Sequence, residues 1–145
     1  MEEHYVLCEG EKLCFSLPSS WKVLTAEDKP FIPGVEDSLA EISRALDNPI
    51  GSPKLEEIAK PGMEVALLFD DLQRPTPVNL VIPEMLNRLN RAGIPDDRVW
   101  AVCAIGTHPV YSREELEKKV GPEVSSRLKE RLVSHDPYSP DNVVI

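Results

Sequence analysis

The sequence predicts an α/β domain with a Rossmann-like, partly parallel sheet that is flanked by helices and preceded by an N-terminal β-hairpin. Two short apolar runs, Val65 to Phe69 and Val99 to Ile105, have the length and composition of strands buried on both faces of a parallel sheet. Segments with apolar residues at helical spacing lie between and after these runs. Alternating strands and helices are typical of parallel sheets with crossover helices.

Before the first run, the sequence predicts extended segments and two helices. Residues 4–17 alternate loosely about a Glu-Gly-Glu turn, which indicates the hairpin, and Ser20 to Leu24 is expected to add a third extended segment. Two helices are then expected. The first has Ser38 as its N-cap, with Glu41 completing a capping box, and ends at Asn48-Pro49. The second starts at Ser52-Pro53 and ends at Pro61-Gly62.

Helices are also predicted after each of the two runs. Thr76 is expected as the N-cap and Pro77 as the first residue of a helix that kinks or restarts at Pro83 and ends at Ala92-Gly93. The remaining elements are expected as follows: a helix from the capping box of Ser112 and Glu115, a break at Gly121-Pro122, a helix over residues 122–131, and a third parallel strand over Leu132 to Ser134.

Composition fits one globular domain and narrows the class of partner. The 145 residues are 41% hydrophobic and 28% charged, with a net charge of −9. This charge disfavours a nucleic-acid partner, because phosphate backbones bind basic surfaces. The three cysteines, Cys8, Cys14 and Cys103, lack metal-ligand spacing and are expected to be reduced core thiols in a cytoplasmic protein. No apolar run predicts a signal peptide or a membrane span.

The last five residues, Asp141 to Ile145, predict a strand that begins without a closing turn. We therefore expect residues 1–145 to be a single α/β domain that belongs to a longer protein.

Polar loops follow the two apolar runs. The first loop carries Asp70, Asp71 and Arg74, and the second carries His108 shortly after Gly106. Because the carboxyl ends of parallel strands meet at one edge of the sheet, where α/β folds bind ligands, we predict that these loops form two walls of one site.

The residue types in these loops suit an anionic substrate and proton transfer. The guanidinium of Arg74 can bind a carboxylate or phosphate bidentately, and the helix start after Thr76 would add backbone donors. Asp71 could bind hydroxyls or brace the arginine; alternatively, Asp71 and Arg74 form only a salt bridge within the loop. His108 is a candidate acid–base group, and the alternative is a histidine that caps the next turn.

Other polar residues receive structural interpretations. His135 is expected in a turn with Asp136 rather than as a second imidazole in the site, and Asp70 is expected to close its strand. Cys103 is expected in the core because no basic residue lies beside it in sequence, and His4 is given no role. Phosphate-loop, dinucleotide, zinc-protease and serine-hydrolase motifs are absent, so the residues alone predict no particular reaction.

Several segments together carry a family resemblance: Ala45 to Ser52 with Leu55 to Ala59, Asp71-x-x-Arg74-Pro-Thr-Pro77, Gly106-Thr-His108, and Glu114-Glu-Leu116. In this order and spacing they resemble the N-terminal domain of the nickel-dependent lactate racemase family, over nearly the whole chain. The resemblance implies an isomerase that racemises or epimerises a small α-hydroxy acid with a nickel-pincer nucleotide cofactor. That cofactor is a pyridinium mononucleotide with two thiocarboxylate arms. It would take the hydride from the substrate Cα while a histidine takes the hydroxyl proton.

The resemblance also assigns roles to individual residues. His108 would be a catalytic acid–base histidine. Asp71, Leu72, Gln73 and Arg74 would contact the cofactor, and Arg74 would also contact the substrate.

The remaining catalytic groups are expected outside this chain, in a C-terminal domain of the same protein. They are the lysine that carries the cofactor, the nickel ligand and a second catalytic histidine. Residues 1–145 are therefore expected to contribute no metal ligand and to be inactive alone. Gln73 and Pro109 depart from the family pattern, and both positions bear on substrate choice.

Two other functions stay open at this stage. The chain could be a non-catalytic module that binds a mononucleotide, phosphate or carboxylate at the helix start after Thr76. It could also be a structural domain in which the charged loop is only solvated. Anion binding that depends on Arg74 would separate the first of these from the second.

Overall fold

Residues 3–8, 11–22 and 33–143 are described by a computed structural model, which divides the chain into two units, Met1–Gly34 and Val35–Ile145. The first unit contains an antiparallel hairpin of β1 (Glu3–Cys8) and β2 (Glu11–Ser16), in which Tyr5 lies opposite Cys14. The predicted hairpin is therefore confirmed.

The second unit is built on a three-stranded parallel sheet in the order β3-β4-β5. This confirms the predicted parallel strands, with boundaries that differ by one residue. The strands are β3 (Val65–Asp70), β4 (Val99–Ala104) and β5 (Leu132–Ser134). The helices are α1 (Ser38–Asp47), α2 (Leu55–Ile58), α3 (Val78–Arg91) and α4 (Arg113–Leu128), with 3₁₀ turns at Asp96–Arg98 and Lys129–Arg131. None of these helices is long and apolar enough to cross a membrane.

The helices α3 and α4 cover the same face of the sheet. Because the strand order β3-β4-β5 runs in one direction across the sheet, right-handed crossovers place both connecting helices on the same side. The prediction that β3 is buried on both faces is therefore wrong, since Leu68 on the other face is 72% exposed. The core lies between the covered face and the two helices, and its least exposed members are Leu86, Leu89, Ile94, Val99, Ala101, Cys103 and Val124.

The start of α1 differs from the prediction by one residue. Asp37 is the N-cap, because its carboxylate accepts a hydrogen bond from the Ala40 N–H at 3.0 Å. Ser38 is instead the first helical residue. Glu41 does not complete a capping box but pairs with Arg44 at 2.6 Å, one turn along the helix.

The predicted start of α2 at Ser52 is wrong, whereas the predicted start of α4 at Ser112 is confirmed. The helix α2 begins after Lys54 rather than at Ser52, with the Glu57 carboxylate accepting from the Lys54 N–H at 3.1 Å. Ser112 and Glu115 form the predicted capping box at α4. In that box each side chain accepts a hydrogen bond from the backbone N–H of the other residue.

Proline and glycine affect α3 and α4 differently. The helix α3 does not restart at Pro83 but continues to Arg91. Pro83 removes one backbone hydrogen bond, but the turns on either side of it are anchored in the core. In contrast, α4 consists of two helical pieces joined at Gly121, whose φ of 81° is accessible to glycine without steric cost. The predicted break at Gly121-Pro122 is confirmed.

Two predicted extended segments are not strands where the structure describes them. Ser20 to Lys22 form a turn and irregular backbone, and so do Asp141 to Val143. Residues 23–24 and 144–145, which complete those segments, lie outside the described residues.

A buried arginine fastens the first two helices to α3. The guanidinium of Arg88 contacts the carboxylates of Asp47 at 2.7 Å, Glu84 at 2.8 Å and Glu56 at 3.2 Å, and the Ser43 carbonyl at 3.3 Å. The hydrogen bond from Arg88 to Asp47 is the main cause of a raised pKa for the arginine. Because Arg88 itself is only 4% exposed, its charge is stabilised by these partners rather than by water.

Replacing Arg88 by methionine is expected to lower the free energy of unfolding by about 3 kcal/mol, because three carboxylates lose a shared partner. Urea unfolding followed by circular dichroism measures the effect. Arg91→Met is the matched control: Arg91 lies on the same helix, but its side chain is 60% exposed, so the expected loss is below about 0.5 kcal/mol. Equal unfolding midpoints for the two variants would contradict the anchoring role of Arg88.

Candidate functional site

The loops after β3 and β4 meet at the carboxyl edge of the sheet. The chain turns sharply at Gly106, where φ is 60°, and the His108 N–H donates to the Ile105 carbonyl at 3.1 Å. This turn directs the imidazole of His108 toward Asp71, and Nδ1 of the ring forms a hydrogen bond with Oδ2 of the carboxylate. The two loops that the sequence predicts as walls of one site are therefore in direct contact.

Asp71 is held rigidly in this contact. The residue is 5% exposed, and its other carboxylate oxygen accepts the Gln73 N–H at 3.0 Å in a turn that also joins the Arg74 N–H to the Asp71 carbonyl at 3.2 Å. An ionised carboxylate can only accept hydrogen bonds, so when Asp71 is ionised Nδ1 of His108 carries the proton of this bond. Nε2 of the half-exposed imidazole is then available as the basic nitrogen.

The sequence analysis expected the Asp71 side chain either to brace Arg74 or to form a salt bridge with it, and neither interpretation is correct. Their side chains form no ion pair, because both carboxylate oxygens of Asp71 are engaged by Gln73 and His108. Arg74 is exposed and pairs with no carboxylate within residues 33–143. A guanidinium without a protein partner at the edge of a cleft is well placed to bind an anion.

A cleft of about 300 Å³ lies between the two loops. Thr76 and the start of α3 do not line it but border a separate apolar groove beside β3. The prediction that Thr76 caps α3 is wrong: the helix starts after Pro77, and the Thr76 hydroxyl donates to the Asp70 carboxylate. The cleft itself is lined by Asp70, Asp71, Arg74, Ala104, Ile105, Gly106, Thr107 and His108.

Lys119 reaches this edge from α4 and was not predicted. Its ammonium donates to the Arg74 carbonyl at 2.6 Å and lies 3.3 Å from Oδ1 of Asp70. The hydrogen bond from Thr76 and, after it, the ammonium of Lys119 hold the pKa of Asp70 below its usual range. Lys119 is separated from Arg74 by 45 residues and follows another lysine in the sequence, so no local pattern identifies it.

Tyr111 is a second residue that sequence analysis did not identify. Burial raises the pKa of its phenol, the nearby charge of Asp71 adds to the shift, and the Gln73 side chain opposes it. The side chain therefore lies near the two loops, although it packs against the core. Its position three residues after His108 is the one signal in the sequence that could have suggested it.

The remaining polar residues occupy structural positions. Cys103 is fully buried in β4, and burial is the main cause that raises the pKa of its thiol to about 11. Cys8 and Cys14 are exposed on the hairpin, so the prediction that they are core thiols is wrong. His135 is exposed beyond β5, where Asp136 forms the predicted turn by accepting the Tyr138 N–H at 2.9 Å. His4 lies in β1. Within residues 3–8, 11–22 and 33–143, no three His, Cys, Asp or Glu side chains group closely enough to hold a metal ion.

Comparison with known proteins identifies the family. Residues 9–145 match the family described as the lactate racemase N-terminal domain. The chain belongs to this family. The resemblance drawn from Asp71 to Pro77 and from Gly106 to His108 is thereby confirmed.

Relatives of the racemase domain are longer than this chain. A lactate racemase from Lactiplantibacillus plantarum is 37% identical over 94 residues, which cover 65% of this chain and 22% of the relative. A lactate racemase from Thermoanaerobacterium thermosaccharolyticum is 26% identical over 102 residues, which cover 70% of this chain and 23% of the relative. The matched segments thus cover less than a quarter of the length of each of these proteins.

A solved structure supports the racemase-domain fold. The lactate racemase apoprotein from Thermoanaerobacterium thermosaccharolyticum superposes with a TM-score of 0.64 and 24% sequence identity, over 93% of this chain and 30% of that protein. This likeness confirms the predicted α/β class with its parallel sheet, flanking helices and N-terminal hairpin.

Proposed function

We propose that this chain is the N-terminal part of an enzyme that racemises or epimerises a small α-hydroxy acid, with His108 as an acid–base group. The observation that carries the proposal is the pair of His108 and Asp71 beside the exposed guanidinium of Arg74, which forms no ion pair with a carboxylate within residues 33–143, in a chain of the lactate racemase family. Inversion at Cα of a hydroxy acid by hydride transfer needs a base for the hydroxyl proton, an acceptor for the hydride and an anchor for the carboxylate.

His108 supplies the base in this proposal. Nε2 accepts the hydroxyl proton of the substrate as the C–O bond becomes a carbonyl, and it returns the proton when the alcohol forms again. The buried carboxylate of Asp71 stabilises the imidazolium, because it accepts the hydrogen bond from Nδ1. Asp71 therefore acts on His108 in this proposal, and not only on the cofactor as the resemblance implies.

The cleft fits an anionic group, and the residues around it offer no set of metal ligands. Its volume of about 300 Å³ is at the lower end of the range for small-molecule sites. Arg74 would hold the phosphate of a nickel-pincer nucleotide or the substrate carboxylate, whereas Leu72 and Gln73 do not line the cleft. When bound, that cofactor supplies a hydride acceptor for Cα. The nickel ligand would come from another part of the longer polypeptide.

The proposal places the rest of the active site outside residues 1–145. It is supported by the lengths of the two relatives, of which this chain matches 22% and 23%. We infer that a C-terminal domain of the same protein closes the cleft and that the chain alone is inactive. The three free cysteines support a reducing, cytoplasmic location.

The reaction itself is tested with the complete polypeptide, loaded with cofactor and given single enantiomers of 2-hydroxy acids. Chiral chromatography should show both enantiomers after incubation, and the preferred acid identifies the substrate. A polypeptide that binds the nucleotide without interconverting any enantiomer would support the non-catalytic binding module instead.

Replacing Arg74 by alanine is expected to weaken binding of nicotinic acid mononucleotide to residues 1–145 about ten-fold, since a charge-assisted contact is lost. Isothermal titration calorimetry measures the affinity. Arg98→Ala is the control, because Arg98 is exposed and lies outside the cleft, and it should bind as the unmodified chain does. Equal affinities for the two variants would remove Arg74 from the binding role.

A further inference from the structure

A lysine that is nearly buried connects α4 to the loop that carries Asp71 and Arg74. The side chain of Lys119 is 9% exposed, and its Nζ donates to the Arg74 carbonyl at 2.6 Å. The same nitrogen lies 3.3 Å from Oδ1 of Asp70. Lysine is seldom buried unless its charge is paired, and both of these contacts are oxygen acceptors of the same loop.

The second half of the loop has few backbone donors. Asp71 fixes the first half through its contacts with the Gln73 and Arg74 N–H groups. The second half, Pro75-Thr76-Pro77, contains two prolines, which have no N–H to donate. Lys119 supplies from another element a donor to the Arg74 carbonyl, which immediately precedes this part of the loop.

The contacts of Lys119 also connect to the end of β3. Asp70 receives the Thr76 hydroxyl on one carboxylate oxygen and faces the ammonium of Lys119 with the other. Lys119 thus contacts both Asp70, the last residue of β3, and the Arg74 carbonyl. Thr76, two residues after Arg74, closes the network by its hydrogen bond to Asp70. Both ends of the loop are held by one cation.

We propose that Lys119 is a positioning residue that fixes the backbone at Arg74, so that the guanidinium is presented at the cleft beside His108. The inference rests on the proposed function, in which Arg74 binds the anion. Without the ammonium, the Arg74 carbonyl loses a charge-assisted hydrogen bond and the loop gains conformations in which the guanidinium points elsewhere. Binding of an anion would then include the cost of ordering the loop.

The test compares Lys119→Met with Lys118→Met in residues 1–145. Both changes remove one lysine charge from neighbouring positions of α4, but Lys118 is exposed. Native-state amide exchange, measured by NMR, should be about ten-fold faster at Gln73 and Arg74 in Lys119→Met than in Lys118→Met, while core amides such as Leu86 exchange alike. Equal exchange at Gln73 and Arg74 in the two variants would overturn the proposal.

Measurements on the unmodified chain keep the proposal testable if Lys119→Met fails to fold. A bound ammonium gives a separate lysine Nζ signal in NMR because its protons exchange slowly with water, and Lys119 should show one where Lys118 does not. A Lys119 signal that exchanges as fast as that of Lys118 would overturn the proposal. Lys119→Arg keeps the charge and should restore part of the protection at Arg74.

Nucleotide binding separates this proposal from the proposed function. If Lys119→Met loosens the loop and weakens nicotinic acid mononucleotide binding about as much as Arg74→Ala does, both proposals are supported. If Lys119→Met loosens the loop but Arg74→Ala binds the nucleotide with unchanged affinity, the positioning role of Lys119 is supported and the binding role of Arg74 is contradicted. If the loop amides stay protected in Lys119→Met while Arg74→Ala loses nucleotide binding, only the role of Lys119 is contradicted.

Discussion

Replacing His108 by glutamine in the complete, cofactor-loaded polypeptide is expected to lower kcat for interconversion of hydroxy-acid enantiomers about a thousand-fold. Glutamine keeps a polar side chain in the cleft but cannot take up a proton. The carboxylate of the substrate would still bind to Arg74, so KM should change much less than kcat. This separation follows from a residue that acts on the proton in the transition state rather than on binding.

Chiral chromatography of samples started from each single enantiomer measures the effect of the His108 change in both directions. His135→Gln is the matched control, since His135 is an exposed histidine outside the cleft. It should leave kcat within about two-fold of the unmodified enzyme. If His108→Gln interconverts enantiomers as fast as His135→Gln, His108 is not the acid–base group.

Replacing Asp71 by asparagine is expected to lower kcat about a hundred-fold, through the imidazole of His108. The neutral amide removes the negative charge that stabilises the imidazolium, and its NH₂ group can turn toward Nδ1 and favour the wrong tautomer. Because Asp71 is 5% exposed, water cannot replace the lost carboxylate. The ¹⁵N chemical shifts of the His108 ring should report the altered tautomer in residues 1–145 without cofactor or substrate.

A double variant decides whether Asp71 acts through His108. If it does, Asp71→Asn combined with His108→Gln should be about as slow as His108→Gln alone, since the second change has nothing left to act on. Multiplied losses would show that Asp71 has a separate role, such as direct contact with the cofactor. Asp97→Asn, an exposed change outside the cleft, serves as the control.

Much of the fold could be predicted because local patterns encode burial. The apolar runs at Val65 and Val99 form the expected parallel strands, and the capping box at Ser112 begins α4. Errors occurred where several residues compete for one local role. Asp37 and Ser38 can both cap α1, and the carboxylate of Asp37 does so because it reaches the Ala40 N–H.

The sequence predicted that the loops after β3 and β4 meet, but not which of their side chains make contact. Sequence spacing suggested Arg74 as the partner of Asp71, yet the carboxylate binds His108, which is 37 residues away. The register of the sheet decides this: Phe69 lies opposite Cys103, so the loops that follow β3 and β4 leave the sheet side by side. Register depends on how two strands pack together, and neither strand carries it alone.

The sequence by itself therefore determined the α/β class, the order of the elements, the family and the two loops that carry polar residues. These follow from apolar periodicity, turn chemistry and motifs that are local in the chain. Only the tertiary structure decided that Asp71 orients His108, that Arg74 forms no ion pair with a carboxylate within residues 33–143, and that Lys119 holds the loop from α4. Those contacts join residues far apart in sequence, and sheet register and helix packing bring them within hydrogen-bond distance.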